Sequence, residues 1–358
     1  MTAYKCYTEI TQQREAWQQA VENVLSAGDD LKRFFAEQQP DEIIFLACGS
    51  PYYLGQSAAM HWQRQLGIPA RAVMGSEMFM YPETYLPVTA KRPLVVVVSR
   101  SGSTSEVQWA LDKYEKLYPG RTLLVGCTPG SPLAERIPQQ IIMPAANEET
   151  IAQTRSFSAM YLATQLIASV ISDQQPVIDA LAAAPSQVDG FIAAWEETIA
   201  HIMANEALHN VFYLGSGPLF GIAQEATLKI TEMSITEAFA YPFLESRHGP
   251  RSLIDDSTLV VGLFGQSSAR YEKPVLAELR QESTPHTLAL APASLGEIPG
   301  AAHTLAVETD WPDSIQGLAY LPLVQLIAYY RAITKGVNPD ESRNLVPFIK
   351  LDDEGNRV

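Results

Sequence analysis

RPLVVVVSRSGSTSEV, residues 92–107, is an apolar, β-branched run that empties into a loop of hydroxyls around one glycine. A run this short and this apolar reads as a strand buried on both faces, as in a parallel sheet. The residues after it, to about Tyr118, read as helix, so the hydroxyl loop marks a strand-to-helix turn. Upstream, DEIIFLACGS (41–50) is a second strand ending in small residues, and LGQSAAMHWQRQLG (54–67) is helical. Downstream, TLLVGCTPGSPLA (122–134) and IIMPA (141–145) supply two more strands, and a long helix over about 152–174 closes the half. Residues 8–38 stand before all of this as amphipathic helix broken at Gly28.

The same order then starts again. HNVFYLGSGPLFG (209–221) parallels DEIIFLACGSPYYLG (41–55), aligning Gly49 with Gly215 at an offset of 166. STLVVGLFGQSS (257–268) parallels RPLVVVVSRSGS (92–103) at an offset of 165. TLALAPA (287–293) and HTLAVE (303–308) repeat the last two strands. Near-constant offsets at successive strands predict a duplicated α/β unit, each copy a parallel sheet flanked by helices. The predicted boundaries are an N-terminal helical segment at 1–40, a first unit at 41–185, a second at 186–340 and a tail at 341–358.

Composition narrows the function. A formal charge of −15 leaves no basic stripe for a nucleic-acid backbone, so no nucleic acid is expected. Hydrophobic residues make up 47% of the chain, enough for a core in each half, yet no stretch approaches a membrane span. Cys6, Cys48 and Cys127 form no CxxC pair, which suits a reducing, cytoplasmic setting. The N-terminus lacks the pattern of a signal peptide. No HxH, HExxH or Cys/His cluster occurs, so neither a metal nor a cofactor is expected.

In sheets of this kind ligands bind beyond the carboxyl ends of the strands, where the strand order switches. Gly49 and Ser50 end the first strand there. Ser99, Arg100, Ser101, Gly102, Ser103 and Thr104 crowd the second such loop. Hydroxyls and free N–H groups at a helix start suit a phosphate. A capping box, with Ser101 or Ser103 as cap and Glu106 answering it, also fits, although it needs one hydroxyl where four stand. Arg100 reads equally as a bidentate anion contact or as an outward-pointing side chain. Glu225, Lys229 and Glu232 follow at i, i+4 and i+7 and so share one helix face. That spacing fits an exposed ion pair or a carboxylate and an amine held for proton transfer. His248, ahead of Gly249–Pro250, stands on a rigid turn, either as an exposed structural residue or as a proton carrier.

Taken in order, CGS (48–50), SRSGSTSEV (99–107), EATLKITEM (225–233), ESRHGP (245–250) and SRNL (342–345) resemble the isomerase half of glucosamine-6-phosphate synthase and its SIS relatives. The resemblance implies two tandem SIS domains, each a parallel five-stranded sheet in an αβα sandwich, and a small-molecule sugar phosphate as ligand. It implies that Ser50, Ser99, Arg100, Ser101 and Thr104 line the sugar-phosphate loops and that Gln153 is a further substrate contact. Glu232 matches the carboxylate that moves a proton between C1 and C2, with Glu225 and Lys229 as supporting groups. His248 matches a histidine that assists ring opening, often from the neighbouring subunit; a homodimer follows if it is shared. Three departures bear on the reaction. About 40 residues precede the first strand, with no nucleophilic N-terminal cysteine, so ammonia from glutamine is not expected. Val346–Pro347–Phe348 occupies the slot of the family's imine-forming lysine, with Lys350 displaced. Pro51 replaces a usual hydroxyl. These departures resemble fructosamine-6-phosphate deglycases, so deglycation of a 6-phosphorylated ketoamine to hexose 6-phosphate and amine is the expected activity. An amino-sugar 6-phosphate deaminase, an aldose–ketose isomerase and a non-catalytic sugar-phosphate regulator are the alternatives.

Overall fold

The computed structural model describes residues 4–87 and 89–358. The run at 94–98 is the centre of a strand in which every residue is buried, Pro93–Ser99 (β3). Around it lie Glu42–Ala47 (β1), Ala70–Met74 (β2), Thr122–Gly126 (β4) and Gln140–Ile142 (β5). They form one sheet in the order β2-β1-β3-β4-β5, with all pairings parallel. The second half repeats this with Asn210–Gly215 (β6), Glu237–Tyr241 (β7), Thr258–Leu263 (β8), His286–Pro292 (β9) and His303–Val307 (β10). Its order, β7-β6-β8-β9-β10, is the first sheet's order again. The expected α/β architecture of two five-stranded parallel sheets flanked by helices is therefore present. Each sheet has its own apolar core, built around Val95, Val97 and Leu124 in one half and around Phe212, Val260 and Ala289 in the other.

Two details correct the sequence reading. In both sheets the strand register equates Glu42 with Asn210 and Pro93 with Thr258. The first offset is thus 168, and Gly49 corresponds to Gly217 rather than Gly215. The backbone agrees: Gly49 sits at φ 62°, ψ −136° and Gly217 at φ 56°, ψ −131°, each just before a helix. That region of conformational space is open to glycine and strained for other residues. Moreover β2 and β7, which complete each sheet, are edge strands that are only half buried, and they had no apolar run by which to be located.

The chain separates into two compact units at residues 186/187. The boundary falls inside the helix Gln175–Met203, one residue beyond its internal Pro185. The N-terminal helices are shared out rather than forming one segment. The segment ending at Gln12 goes with residues 187–344, and residues 13–186 form the other unit together with the tail Leu345–Val358. Tyr7 donates to Glu196 at 2.7 Å, as does Tyr330, which pins the first helix (Lys5–Thr11) to its unit. Among the described residues no helix is long and apolar enough to cross a membrane.

Candidate active site

In the unit of residues 13–186, the loops after β1 and β3 leave from adjacent strands at the point where the sheet order reverses. Ser50 is buried at the first position of the helix Ser50–Leu66, directly after the positive-φ Gly49. Beside it, burial pushes the Cys48 thiol up to about 11, helped by the charge of Glu106, which suits a packing residue and not a nucleophile.

The loop at 99–104 turns on its own hydroxyls. Ser99 Oγ accepts from the Gly102 N–H at 3.1 Å, and Ser101 Oγ accepts from the Ser103 N–H at 3.2 Å. Ser103 Oγ donates to the Ser101 carbonyl at 3.2 Å. Gly102 has φ 61°, and a Cβ there would lie 2.0 Å from Ser131 Oγ. Glycine is required twice, by backbone and by space. The capping-box reading fails: the helix Ser105–Glu115 has Thr104 as N-cap with no side-chain cap bond. Its first N–H, on Ser105, donates instead to the Ile349 carbonyl at 3.1 Å, and Ser105 Oγ accepts from Leu351 N at 3.0 Å. The C-terminal tail, not a serine of the loop, closes this helix start, which leaves Thr104 Oγ1 out of the cap.

Arg100 needs correction. It is buried, and Nη1 donates to the Thr150 and Ile151 carbonyls at 3.0 and 3.1 Å. Nη2 donates to the Pro347 carbonyl at 3.1 Å. Three of its five N–H donors go to backbone carbonyls, so Arg100 is not the outward-pointing side chain of the alternative reading and instead clamps the 148–151 segment and the tail around the loop. The segment it grips carries Gln153, whose Oε1 is buried with no hydrogen-bond partner. An acceptor held like this is ready for a ligand hydroxyl.

Sequence reasoning missed Glu148. Its fully buried side chain lies 3.6 Å from Arg100 and accepts from Thr154 N at 3.0 Å, from Thr154 Oγ1 at 2.8 Å, and from Ser156 Oγ. The available signal was an acid followed by Thr and Ser ahead of a helix (Arg155–Ile171), which favours negative charge at its N-terminus.

In the other unit, the helix Pro218–Ser234 packs on β6, β7 and the helix Asp313–Thr334, burying Ile222, Ala226 and Ile230. Its charged face is buried as well. Glu225 and Lys229 side chains are fully buried, and Glu232 is 15% exposed. Lys229 Nζ lies 3.5 Å from Glu225 Oε1 and donates to Glu232 Oε2 at 2.5 Å. The exposed-ion-pair reading is overturned, since a surface pair does not place an ammonium at zero exposure between two carboxylates. His248 is exposed, its N–H donating to the Glu245 carbonyl at 3.0 Å, at the end of the short turn Glu245–Arg247. Among the described residues no hydrogen bond joins His248 to Glu232.

A doubly wound sheet, duplicated, with a glycine-pinned hydroxyl loop at its switch point, defines the class of fold. Residues 38–170 match the family model of the SIS domain, and the chain's two five-stranded parallel sheets are consistent with two such domains in tandem. It is 27% identical over 363 residues, 98% of its length, to a glutamine–fructose-6-phosphate aminotransferase (isomerizing) of Chlamydia muridarum. It spans 59% of that relative's length. Among solved structures, it matches a putative tagatose-6-phosphate ketose/aldose isomerase from Clostridium novyi with a TM-score of 0.86 at 25% identity, covering 97% of this chain and 94% of that one. It also matches a glucosamine-6-phosphate deaminase from Thermotoga maritima with a TM-score of 0.75 at 26% identity, covering 92% of this chain and 99% of that one.

Proposed function

We propose that the protein is a phosphosugar enzyme that moves a proton between C1 and C2 of a 6-phosphorylated amino sugar and releases the amine by hydrolysis. The observation that carries this reading is the Glu232 carboxylate, slightly exposed and fixed at 2.5 Å by a fully buried lysine. A base oriented this firmly is suited to abstracting a proton from carbon, which demands exact placement. Glu225 balances Lys229 from the preceding turn of the helix. The phosphate is assigned to Ser50 and the Ser99–Thr104 loop, where the Ser101 and Thr104 hydroxyls and the start of the helix Ser50–Leu66 favour an anion. Gln153 Oε1 accepts from a sugar hydroxyl, and Arg100 acts by holding the Gln153 segment in place. His248 assists ring opening, reached from a second copy of the chain in a homodimer. Similarity to an isomerizing aminotransferase, a ketose/aldose isomerase and a deaminase supports this C1–C2 chemistry.

In the deaminase direction, Glu232 takes the C2 proton of the open aldose and returns it at C1. The 2-amino group becomes an imine, which water cleaves to ketose 6-phosphate and ammonia. Deglycation is the second reading, favoured by Pro347 in the tail, where no imine-forming amine is available. Here the proton moves from C1 to C2 of a ketoamine, and water cleaves the resulting C1 imine to hexose 6-phosphate and the amine. Incubating the protein with glucosamine 6-phosphate, galactosamine 6-phosphate and a fructosamine 6-phosphate separates the readings by which one yields hexose 6-phosphate. Turnover of none of them, with phosphosugar binding intact, would replace both with a sensor.

A further inference from the structure

The second unit has a cradle at the position where the first unit is assigned its phosphate, and that cradle is already filled. The loop after β8 corresponds to the 99–104 loop at an offset of 165, which places Gly265 at the position of Arg100. The N–H groups of Gln266 and Ser267 both donate to the Asp313 carboxylate, to Oδ1 at 2.6 Å and to Oδ2 at 3.0 Å. One carboxylate straddling two successive backbone N–H groups is the way a loop nest holds an anion. Gly265 is part of the arrangement, because a Cβ there would meet the Asp313 carboxylate oxygens at 2.9 Å. The first unit resolves the same geometry the other way. Its loop carries Arg100 instead of glycine, and the acid on the connection from β5 to the last helix, Glu148, is held by Arg100 and the start of that helix. Asp313 lies on the equivalent connection, from β10 into the helix Asp313–Thr334. Gln266 and Ser267 are exposed and Asp313 is half-buried, so the cradle opens to solvent. A second acid stands next to it: Glu272 is buried and takes a hydrogen bond from Ser268 at 2.8 Å.

We propose that Asp313 is a built-in anion that plugs the second cradle, and that removing it uncovers a further binding site for phosphate or a phosphomonoester. The present chain then offers one phosphate site, in its first unit, and rejects a second by charge and by occupancy. This rests on the assignment of phosphate to the 99–104 loop only for the first site, and the test separates the two. Binding of radiolabelled inorganic phosphate is measured by equilibrium dialysis for the wild type, Asp313→Ala, Asp313→Ser and, as a control for lost charge, the exposed Asp310→Ala. The expected result is one additional phosphate per chain in either folded Asp313 variant and none in Asp310→Ala. No gain in a cooperatively melting Asp313 variant, or an equal gain in Asp310→Ala, overturns the proposal. A wild type that binds no phosphate removes the first-unit assignment and leaves the Asp313 comparison intact. Amide resonances of the wild type give a reading that needs no variant. Added phosphate leaves Gln266 and Ser267 in place; a phosphate-dependent shift at these two amides contradicts the plug.

Discussion

Replacing Lys229 by methionine removes the ammonium that stands between Glu225 and Glu232 while keeping much of its buried volume. Glu225, fully buried and 3.5 Å from Lys229 Nζ, then holds its place without that cation. At an effective dielectric constant of about 20, a unit-charge pair at this distance interacts by about 5 kcal/mol. Removing one partner of a buried pair typically costs about 3–5 kcal/mol, because the remaining charge keeps its desolvation penalty. For a unit of this size each kcal/mol lowers the melting temperature by about 2–4 °C, so Lys229→Met should lower it by roughly 6–20 °C. The assay is thermal and urea denaturation of Lys229→Met beside the double variant Glu225→Gln/Lys229→Met. The double variant should recover at least half of the loss, since a neutral amide no longer needs a counter-charge. A cost below about 1 kcal/mol for Lys229→Met, the level of surface pairs, would refute the argument that this is a buried charge network. So would a double variant no more stable than the single one.

Further outcomes follow from other parts of the structure. Gly102→Ala should cost about 1–2 kcal/mol for its left-handed backbone alone, plus the collision with Ser131 Oγ. Adding Ser131→Gly should relieve only the collision, as a double-mutant cycle in urea would show. Arg100→Met should free the tail from the Pro347 carbonyl, measured as faster tryptic cleavage after Lys350, and leave Glu148 buried without its cation. Burial pushes the Glu272 carboxyl up to about 7, with the charge of Asp313 adding to it. Between about pH 4.5 and 7 the folded chain therefore binds more protons here than the unfolded chain, so stability falls as pH rises through that window. The loss amounts to about 3 kcal/mol, and Glu272→Gln should remove this pH dependence from chemical denaturation curves.

The central strands and the loop at 99–104 were legible because buried parallel strands write themselves as unbroken apolar runs, and hydroxyls around a glycine are conspicuous after one. Strands β2 and β7 were not, because an edge strand half open to solvent carries neither a run nor a clean alternation. The alignment of Gly49 with Gly215 followed the look of a Gly-Ser pair; backbone conformation selects Gly217, and one-letter resemblance carries no φ angle. Glu225, Lys229 and Glu232 were found by spacing, but spacing fixes a shared face and says nothing of whether that face is wet. Arg100, Glu148 and Asp313 act through partners far away in sequence: Pro347 lies 247 residues from Arg100, and Gln266 lies 47 from Asp313. Local pattern could not reveal what these side chains hold.

The most direct test follows hydrogen at carbon. Glucosamine 6-phosphate and a fructosamine 6-phosphate are incubated in D2O with the wild type and with Glu232→Gln, and the C1 and C2 positions are read by proton NMR. The account predicts deuterium entering C1 or C2 of a substrate or its hexose 6-phosphate product with the wild type. It predicts none with Glu232→Gln, although that variant still binds the phosphosugar. Undiminished exchange by Glu232→Gln would contradict it.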